Sequence, residues 1–358
     1  MLSRRTFCKQ IAAVPLVGMA GLSSLRANDD RDYPSDSISD FCRKLKPVNR
    51  ILETEGYYVW CVAPIYGKDG KVHVFYSRWL EQYGMGGWIH KCEIAHAIAD
   101  RPEGPYRHLE VVLAPRPGYW DATTCHNPHI QHIDGKYYLF YMGASDGSVF
   151  TKRIGFAVSD SLDGPWKRMD HPLLCPGEVE QWDDCCTTNP AFLRHPNGEN
   201  WLYYKSWNEQ EYREQTGGVR GNRKYGLAVS KNIDGGYKRY PGNPIIDFSG
   251  YGNNRQVEDA FVYMEDGKFK MLMRDMGYFD HFVGLIFESD DGLNWSLPKI
   301  AWYGADKYFE EPPAPKHLSR YGRFERPQLL TKGGNPEYLF TAMQGGKYMT
   351  ASGFVFSC

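Results

Sequence analysis

The stretch from Asn127 to Gly143 reads NPHIQHIDGKYYLFYMG and contains the clearest structural pattern of the chain. It predicts an apolar strand, a two-residue Asp-Gly turn and a second strand rich in Tyr and Phe, because Asp-Gly pairs accept the positive φ angles of tight hairpins. Residues 153–168, RIGFAVSDSLDGPWKR, predict a third strand that ends in another turn. Together these features indicate one antiparallel unit of three hairpin-linked strands and a returning edge strand.

The same order of features occurs five times along the chain. The repeats begin at Ala63, Asn127, Asn189, Glu258 and Arg326, at intervals of 62 to 69 residues. Long repeats built from strands are typical of propellers. The sequence therefore predicts an all-β fold, a five-bladed β-propeller, with a β-sandwich of accidental internal similarity as the alternative. The last repeat is short, and we expect the segment before the first repeat to supply its missing outer strand.

Composition excludes several classes of protein. The chain has 358 residues, of which 42% are hydrophobic and 24% charged, so disorder is not expected. A formal net charge of −1 argues against a nucleic-acid binder. The aromatic share of 15%, with 37 Gly and 22 Pro, favours short strands and turns over helices.

The N-terminal residues predict an export signal. Residues 1–27 contain Ser3, Arg4-Arg5, Phe7 and Lys9 ahead of an apolar stretch, which is typical of a twin-arginine signal. The alternative is the basic end of an ordinary membrane anchor. We predict a signal at 1–27, an N-terminal segment at 28–50 and the propeller at 51–358. The expected location is periplasmic or secreted, with no membrane association after signal removal.

The cysteines give no metal-binding pattern. Eight remain after Cys8 of the signal, and none has the CxxC spacing of a zinc site, so we expect neither a metal nor a cofactor. Cys185 and Cys186 are adjacent. They are interpreted either as two buried thiols or as a strained disulfide beside a ligand site.

Equivalent positions in the first strands of a propeller form rings around its axis. One ring is predicted to contain the five repeat starts, Ala63, Asn127, Asn189, Glu258 and Arg326. The ring one residue earlier contains Val62, His126, Thr188, Val257 and Glu325. These rings are mostly polar, which predicts a ligand pocket on the axis.

A Trp-Asp pair precedes two of the repeats at the same distance. Trp120-Asp121 precedes Asn127, and Trp182-Asp183 precedes Asn189. An indole face beside a carboxylate suits a sugar, which stacks on the ring and bonds through its hydroxyls. The alternative is a structural clasp that recurs because the units recur.

Five repeats that open with x-Pro and continue into DGKYYLFY-type hairpins resemble the five-bladed β-propeller glycosidases. This superfamily contains glycoside hydrolase families 32, 43, 62, 68, 117 and 130, and the resemblance is nearest to family 43 or 117. It implies an aspartate on the first blade, a second aspartate on a later blade, and a glutamate acid that matches Glu258. It departs at Ala63, Asn127 and Asn189, where the superfamily commonly has aspartate. Family 117 implies a histidine in the acid role, for which His126 and His281 are candidates.

Glycosidic cleavage needs one group to protonate the leaving oxygen and another to activate water or attack carbon. We predict Glu258 as the acid, with a pKa raised by burial, and Asp183 or Asp121 as the base. The predicted substrate-binding residues are His126, Asn127, Asn189, Glu325, Arg326, Lys205, Arg274, Trp120 and Trp182.

Cations on the second strands and in the loop at 218–224 favour an anionic glycan, because Lys and Arg bind carboxylate, sulfate or phosphate. The predicted function is an exported glycoside hydrolase acting on a polysaccharide-derived, anionic oligosaccharide. The alternatives are a phosphorylase of the same fold, a non-catalytic carbohydrate-binding propeller and a sugar lyase. The sequence does not indicate an oligomeric state.

Overall fold

The computed structural model describes residues 33–215, 220–251 and 255–358, which form a nearly all-β body as predicted. The predicted export signal at 1–27 lies outside the described residues. No helix in the described ranges is long and apolar enough to cross a membrane.

Twenty strands form nearly half of the described chain. They are β1 Lys46–Ile51, β2 Tyr57–Tyr66, β3 Val72–Leu80, β4 Glu93–Ala99, β5 Arg107–Leu113, β6 Thr124–Ile133, β7 Lys136–Ala144, β8 Arg153–Ser159, β9 Lys167–Arg168, β10 Thr188–Arg194, β11 Asn200–Ser206, β12 Lys224–Ser230, β13 Lys238–Arg239, β14 Gln256–Glu265, β15 Lys268–Met276, β16 Gly284–Ser289, β17 Lys299–Trp302, β18 Glu325–Lys332, β19 Asn335–Gly345 and β20 Thr350–Ser357. The α-helices are α1 Asp40–Lys44 and α2 Glu209–Glu214. Short 3-10 turns lie at Ser35–Ser37, Glu81–Tyr83, Met85–Ile89, Val149–Thr151, Ser249–Tyr251 and Ala305–Lys307.

The strands pair in groups of four that follow the sequence repeats. Three antiparallel sheets contain β6–β9, β10–β13 and β14–β17. A larger sheet runs β18-β19-β20-β2-β3-β4-β5, and β1 also pairs with β20. A single parallel pairing, Tyr58 with Ala351, joins its two antiparallel halves. We number the groups units 1 to 5: β2–β5, β6–β9, β10–β13, β14–β17, and β18–β20 with β1.

Strand β1 is the outer strand that the last repeat lacks. It pairs antiparallel with β20, from Lys46 opposite Ser357 to Ile51 opposite Gly353. Because β20 would otherwise expose a row of unpaired backbone groups, this pairing protects its edge. The strand crosses the predicted boundary at residue 51.

The hairpin turns follow from local chemistry. Asp134-Gly135 joins β6 to β7 and Asp266-Gly267 joins β14 to β15, and all four residues have positive φ angles. Such angles at both central residues match the twist of the flanking strands. The Asn197-Gly198 pair differs, because it lies within a five-residue connection between β10 and β11.

Apolar clusters fill the spaces between neighbouring units. One contains Phe75 of unit 1 and Tyr141 of unit 2, and another contains Phe140 of unit 2 and Phe192 of unit 3. Further clusters join unit 4 to unit 5 and unit 5 to unit 1. These clusters hold unit 1 against units 2 and 5, unit 2 against unit 3, and unit 4 against unit 5.

Candidate active site

The first strand of every unit contains a β-bulge at its start. The strand register shifts at Trp60/Ala63, His126/His129, Thr188/Ala191, Glu258/Phe261 and Glu325/Gln328. The first residue inside each bulge has a positive φ angle, between 51° and 64°: Cys61, Asn127, Asn189, Asp259 and Arg326. A bulge redirects side chains and is common next to active sites.

These five bulge residues form a chain of hydrogen bonds. The Cys61 thiol donates to Asn127 Oδ1 at 3.1 Å, and Asn127 Nδ2 donates to Asn189 Oδ1 at 3.1 Å. Asn189 Nδ2 donates in turn to Asp259 Oδ1 at 2.6 Å. The guanidinium of Arg326 contacts the same carboxylate at 2.5 Å. All five side chains line one small cavity.

The structure corrects the predicted register of two rings. Cys61, rather than Ala63, is equivalent to Asn127, and Asp259, rather than Glu258, is equivalent to Asn189. In unit 1 the error arose because the copy was aligned on its Ala-Pro pair, which lies two residues after the bulge. Unit 4 has no proline there, and its Ala-Phe pair was aligned with that of unit 3, which shifted it by one residue. Glu258 is therefore equivalent to His126, Thr188 and Glu325.

A second cavity, of about 320 Å³, is lined by the residues that precede the bulges. Trp60, His126, Thr188 and Glu258 of the first strands contribute to it, together with Lys205 from β11 and Arg274 from β15. Lys205 is placed there because it pairs across the sheet with Thr188, and Arg274 because it pairs with Glu258. Among the predicted binding residues, Asn127, Asn189 and Arg326 also line this cavity.

Glu258 lies in this cavity as a buried carboxylate held by three cations. Lys205 Nζ contacts Oε1, Arg223 Nε lies 3.1 Å from the same oxygen, and Arg274 Nη1 donates to Oε2 at 3.1 Å. Burial alone would raise the pKa of Glu258, but Lys205, Arg223 and Arg274 bring that pKa well below its usual range. The expected raised pKa is therefore wrong, and the group is ionised at neutral pH.

Glu325 does not line the cavity, although it contacts residues that do. Its fully buried carboxylate accepts a hydrogen bond from Arg320 Nη1 at 3.1 Å and lies 3.2 Å from Arg274 Nη1. Arg274 therefore bridges Glu258 and Glu325. Burial would raise the pKa of Glu325, but the positive charges of Arg274 and Arg320 keep it below its usual value.

The cavity carries an excess of positive charge. In the described part of the chain, seven cationic side chains line it, against one carboxylate, that of Glu258. The seven are Lys152, Lys205, Arg223, Arg274, Arg320, Arg323 and Arg326. Three of them were predicted to bind substrate, and Arg223 belongs to the loop at 218–224 that was predicted to be cationic. Lys152, Arg320 and Arg323 were not predicted.

The aromatic side chains of the cavity differ from those predicted. Trp60, Trp88, Trp207 and Tyr212 line it, whereas Trp120 and Trp182 do not. Trp60 precedes a bulge, so an alignment on the bulges would have found it. Trp88, Trp207 and Tyr212 lie in connections outside the first strands, where the repeat pattern gives no signal.

Asp121 and Asp183 do not line the cavity either. Asp121 accepts hydrogen bonds from Tyr141 Oη at 2.7 Å and from Arg116 and Arg168, while Trp120 stacks on the Tyr141 ring. The side chain has no exposed surface. Its two neighbouring arginines neutralise it, so the structure presents a clasp rather than a free base.

Asp183 occupies the same arrangement in unit 3. It accepts hydrogen bonds from Tyr204 Oη and Arg239 Nε, both at 2.7 Å, while Trp182 stacks on Tyr204. Gly226 lies against Trp182, and an added Cβ there would approach the indole to 2.7 Å. In both units, therefore, the Trp-Asp pair contacts a Tyr, an Arg and a Gly of the same unit.

Both candidate histidines line the cavity in different settings. His126 is buried between Cys61 and Cys92, with its ring nitrogens 3.7 Å and 3.3 Å from their sulfur atoms. Burial keeps its pKa well below the usual range. His281 is half-buried in a loop whose backbone amides donate to the carboxylate of Asp275. Burial and the nearby Arg274 lower the pKa of His281.

One side-chain group in the described ranges has metal-ligand spacing. Ligand atoms of His73, His96 and Asp163 lie within 4.8 Å of one another, and none of the three lines the cavity. His73 Nδ1 and His96 Nε2 are 2.9 Å apart and form a hydrogen bond with each other. Cys185 and Cys186 are buried and form no disulfide.

Comparison with known proteins agrees with this fold and with the resemblance in the sequence. The model of Glycosyl hydrolases family 43 matches residues 110–216. The chain resembles the glycoside hydrolases of families 43 and 117. The matched segment includes the bulges of units 2 and 3 and both Trp-Asp clasps, but it ends before Glu258.

A curated relative is an extracellular endo-α-(1→5)-L-arabinanase of Thermotoga petrophila, 32% identical over 91 residues. That match covers 22% of this chain and 19% of the relative, so the chain spans about a fifth of the length of the curated relative it matches.

Two solved structures share the fold over most of their length. A family 117 glycoside hydrolase of the marine bacterium Zobellia galactanivorans has a TM-score of 0.64 at 16% identity, covering 88% of this chain and 90% of that one. A family 43 β-xylosidase/α-arabinofuranosidase from a compost metagenome has a TM-score of 0.56 at 17% identity, covering 87% and 92%.

Proposed function

We propose that the chain is a glycoside hydrolase that cleaves an anionic oligosaccharide, with Glu258 as its catalytic carboxylate. The observation that carries the proposal is the buried Glu258, ionised and lining a cavity with indole rings and a large excess of cations. Indole rings stack on sugar faces, and a fixed carboxylate supplies the charge that an oxocarbenium-like transition state needs.

We infer that the five four-stranded units are the blades of a five-bladed propeller. Support comes from the five equivalent bulges, from the hydrogen bonds that link their residues, and from the apolar clusters between consecutive units.

Export by the signal at 1–27 to the periplasm or medium belongs to the proposal. It is supported by the Arg4-Arg5 motif and by a relative described as extracellular.

In the proposed reaction His281 donates its proton to the glycosidic oxygen as the bond to the anomeric carbon breaks. Water attacks that carbon and loses its proton to solvent, while the charged Glu258 stabilises the positive charge that develops on the sugar ring. The products are a sugar hemiacetal and an alcohol, and a proton from solvent restores His281. Lys205, Arg223 and Arg274 keep Glu258 charged in the resting state. Asp121 and Asp183 are assigned no catalytic part.

The test is mass spectrometry of products from neutral, carboxylated and sulfated oligosaccharides. We expect shortened sugars that have gained one water from the wild type, and their loss in Glu258→Gln. Glu265→Gln is the matched control, because Glu265 lies on the same strand, pairs with Lys270 and is outside the cavity.

Glu258→Asp keeps the negative charge and serves as a second variant. Thermal unfolding of each variant shows whether it is folded. Equal cleavage by a folded Glu258→Gln would refute the assignment of Glu258. Glycan binding without any cleavage by the wild type would make the protein a carbohydrate-binding propeller, and sugar phosphates formed only in added phosphate would make it a phosphorylase.

A further inference from the structure

Lys152 is a buried lysine on the wall of the cavity. It directly precedes β8, and its exposed fraction is 4%. Its ammonium lies 4.2 Å from the ring centre of Trp207 and 5.9 Å from that of Trp88. The ammonium therefore lies close to two indole rings that also line the cavity.

Lys152 differs from the other cations of the cavity in its partners. Lys205, Arg223 and Arg274 share Glu258, Arg320 and Arg323 lie beside Glu325, and Arg326 contacts Asp259. Within the described ranges, no carboxylate lies within 4.0 Å of the Lys152 ammonium. Burial lowers its pKa, which reports the cost of holding this charge away from water.

Among the groups around Lys152, the Cys186 sulfur interacts most favourably with its positive charge. Its hydrogen bond with Cys185 and the charges of Lys152 and Lys205 outweigh burial and bring the pKa of Cys186 to about 6. A thiolate there offsets one positive charge. The remaining cations still outnumber the acids Glu258, Glu325 and Asp259, so the cavity stays positive.

Burying a charge without a partner is costly, whereas a complementary charge in the same low-dielectric site recovers much of that cost. An anionic ligand group beside Trp207 would meet three cations, because Arg223 and Lys205 lie 5.5 Å and 5.7 Å from the same ring. The indoles of Trp88 and Trp207 would contact the sugar that bears this group.

We propose that Lys152 binds the anionic substituent of the substrate, the carboxylate of a uronic acid or a sulfate ester, and so selects charged over neutral sugars. The proposal rests on the proposed function only in requiring that this cavity binds a glycan. Lys152 is a binding residue in it and takes no part in proton transfer.

The test is calorimetric titration with an oligogalacturonide and its carboxyl-reduced form, and with a sulfated galactan oligosaccharide and its desulfated form. The proteins are the wild type, Lys152→Met, Lys152→Arg and Lys71→Met. Methionine keeps the apolar contact with Trp207. Lys71 is the charge-matched control, because it pairs with Asp100 outside the cavity.

We expect the wild type to bind at least one charged probe about tenfold or more tightly than its neutral form. Lys152→Met should lose this difference, Lys152→Arg should keep part of it, and Lys71→Met should behave as wild type. The probe that shows the difference identifies carboxylate or sulfate as the natural group.

Equal binding of charged and neutral forms by the wild type, no binding of either charged probe, or unchanged selectivity in a folded Lys152→Met would overturn the inference. Its failure is distinct from failure of the proposed function. Selective binding through Lys152 without hydrolysis retains the inference and rejects the enzyme, whereas hydrolysis that is indifferent to Lys152 does the reverse.

Discussion

The carboxylate of Asp259 contacts the guanidinium of Arg326 at 2.5 Å, and both residues lie in bulges with positive φ angles. Asn189 donates to the same carboxylate, so Asp259 joins units 3, 4 and 5. The side chain of Asp259 is almost completely buried, and that of Arg326 is 13% exposed. The pair thus ties the first strands of units 3, 4 and 5 together, next to the cavity that contains Glu258.

Breaking this pair should destabilise the protein strongly. Asp259→Asn leaves the buried Arg326 without its counter-charge, which should lower the free energy of unfolding by about 3 kcal/mol or more. Urea unfolding measures the change. The double variant Asp259→Asn/Arg326→Met should lose less than the sum of the single variants, and strict additivity would show that the contact contributes no coupling.

Replacing an aspartate of a Trp-Asp clasp should cost stability and leave the chemistry intact. Asp183→Asn weakens charged hydrogen bonds to Tyr204 and Arg239, so unfolding should require about 2 kcal/mol less. The kcat of the folded enzyme should change by less than about twofold, since Asp183 does not line the cavity. A hundredfold loss of kcat in a folded Asp183→Asn would restore the catalytic assignment made from the sequence.

The glycine that faces each clasp should not tolerate a methyl group. In Gly226→Ala the new Cβ meets the Trp182 ring at 2.7 Å, and such overpacking costs about 1–3 kcal/mol. Thermal unfolding of Gly226→Ala should show the loss. Gly235→Ala is the matched control, because nothing lies within 4 Å of a Cβ at that position. An equal effect at the two sites would argue against the clasp.

Activity should require protonated His281. Burial lowers the pKa of this imidazole below its ordinary value of 6.5, so kcat/KM should decline as the pH rises through the range below 6.5. His281→Gln should reduce kcat by about a hundredfold and remove this limb of the pH profile. A profile in His281→Gln that keeps the wild-type limb would assign the proton donor elsewhere.

The protein should lose stability in mild acid. Burial brings the pKa of His96 to about 3, so between pH 6.5 and 3 the unfolded chain binds a proton that the folded state does not. The contribution of His96 is fully present above pH 6.5 and is lost as the pH falls. Urea midpoints should therefore drop below pH 6.5, and less steeply in His96→Phe. The exposed His171 provides the control variant His171→Phe, whose midpoints should follow the wild type.

The repeats sufficed to predict an all-β chain, the hairpins and the strand that completes the last unit. Those features depend on local chemistry: Asp134-Gly135 specifies a turn, and alternating apolar residues specify a strand. The repeats place Asn127 and Asn189 at one set of equivalent positions and Lys205 and Arg274 at another. Glu258 was predicted from the same pattern, although it lies one residue before the true equivalent of Asn189.

Other assignments depended on geometry that repeats do not specify. The bulges have no sequence signature, so the Ala-Pro pair of unit 1 indicated Ala63 where the structure has Cys61. The Trp-Asp pairs resemble a sugar site in sequence, and only packing against Tyr141 and Tyr204 shows them as clasps. The pKa of Glu258 depends on Arg223 and Arg274, which are distant in sequence and adjacent in space.

The class of fold, the number of repeats and the residue types available to the site can therefore be inferred from the sequence. The tertiary structure decided which residues share one cavity, which carboxylate is charged there, and that the buried Lys152 stands without a carboxylate within 4.0 Å among the residues it describes. The difference comes from the distance along the chain over which the interactions act. Turns and strands follow from interactions between near neighbours, whereas burial and Coulomb interactions depend on which units meet in space.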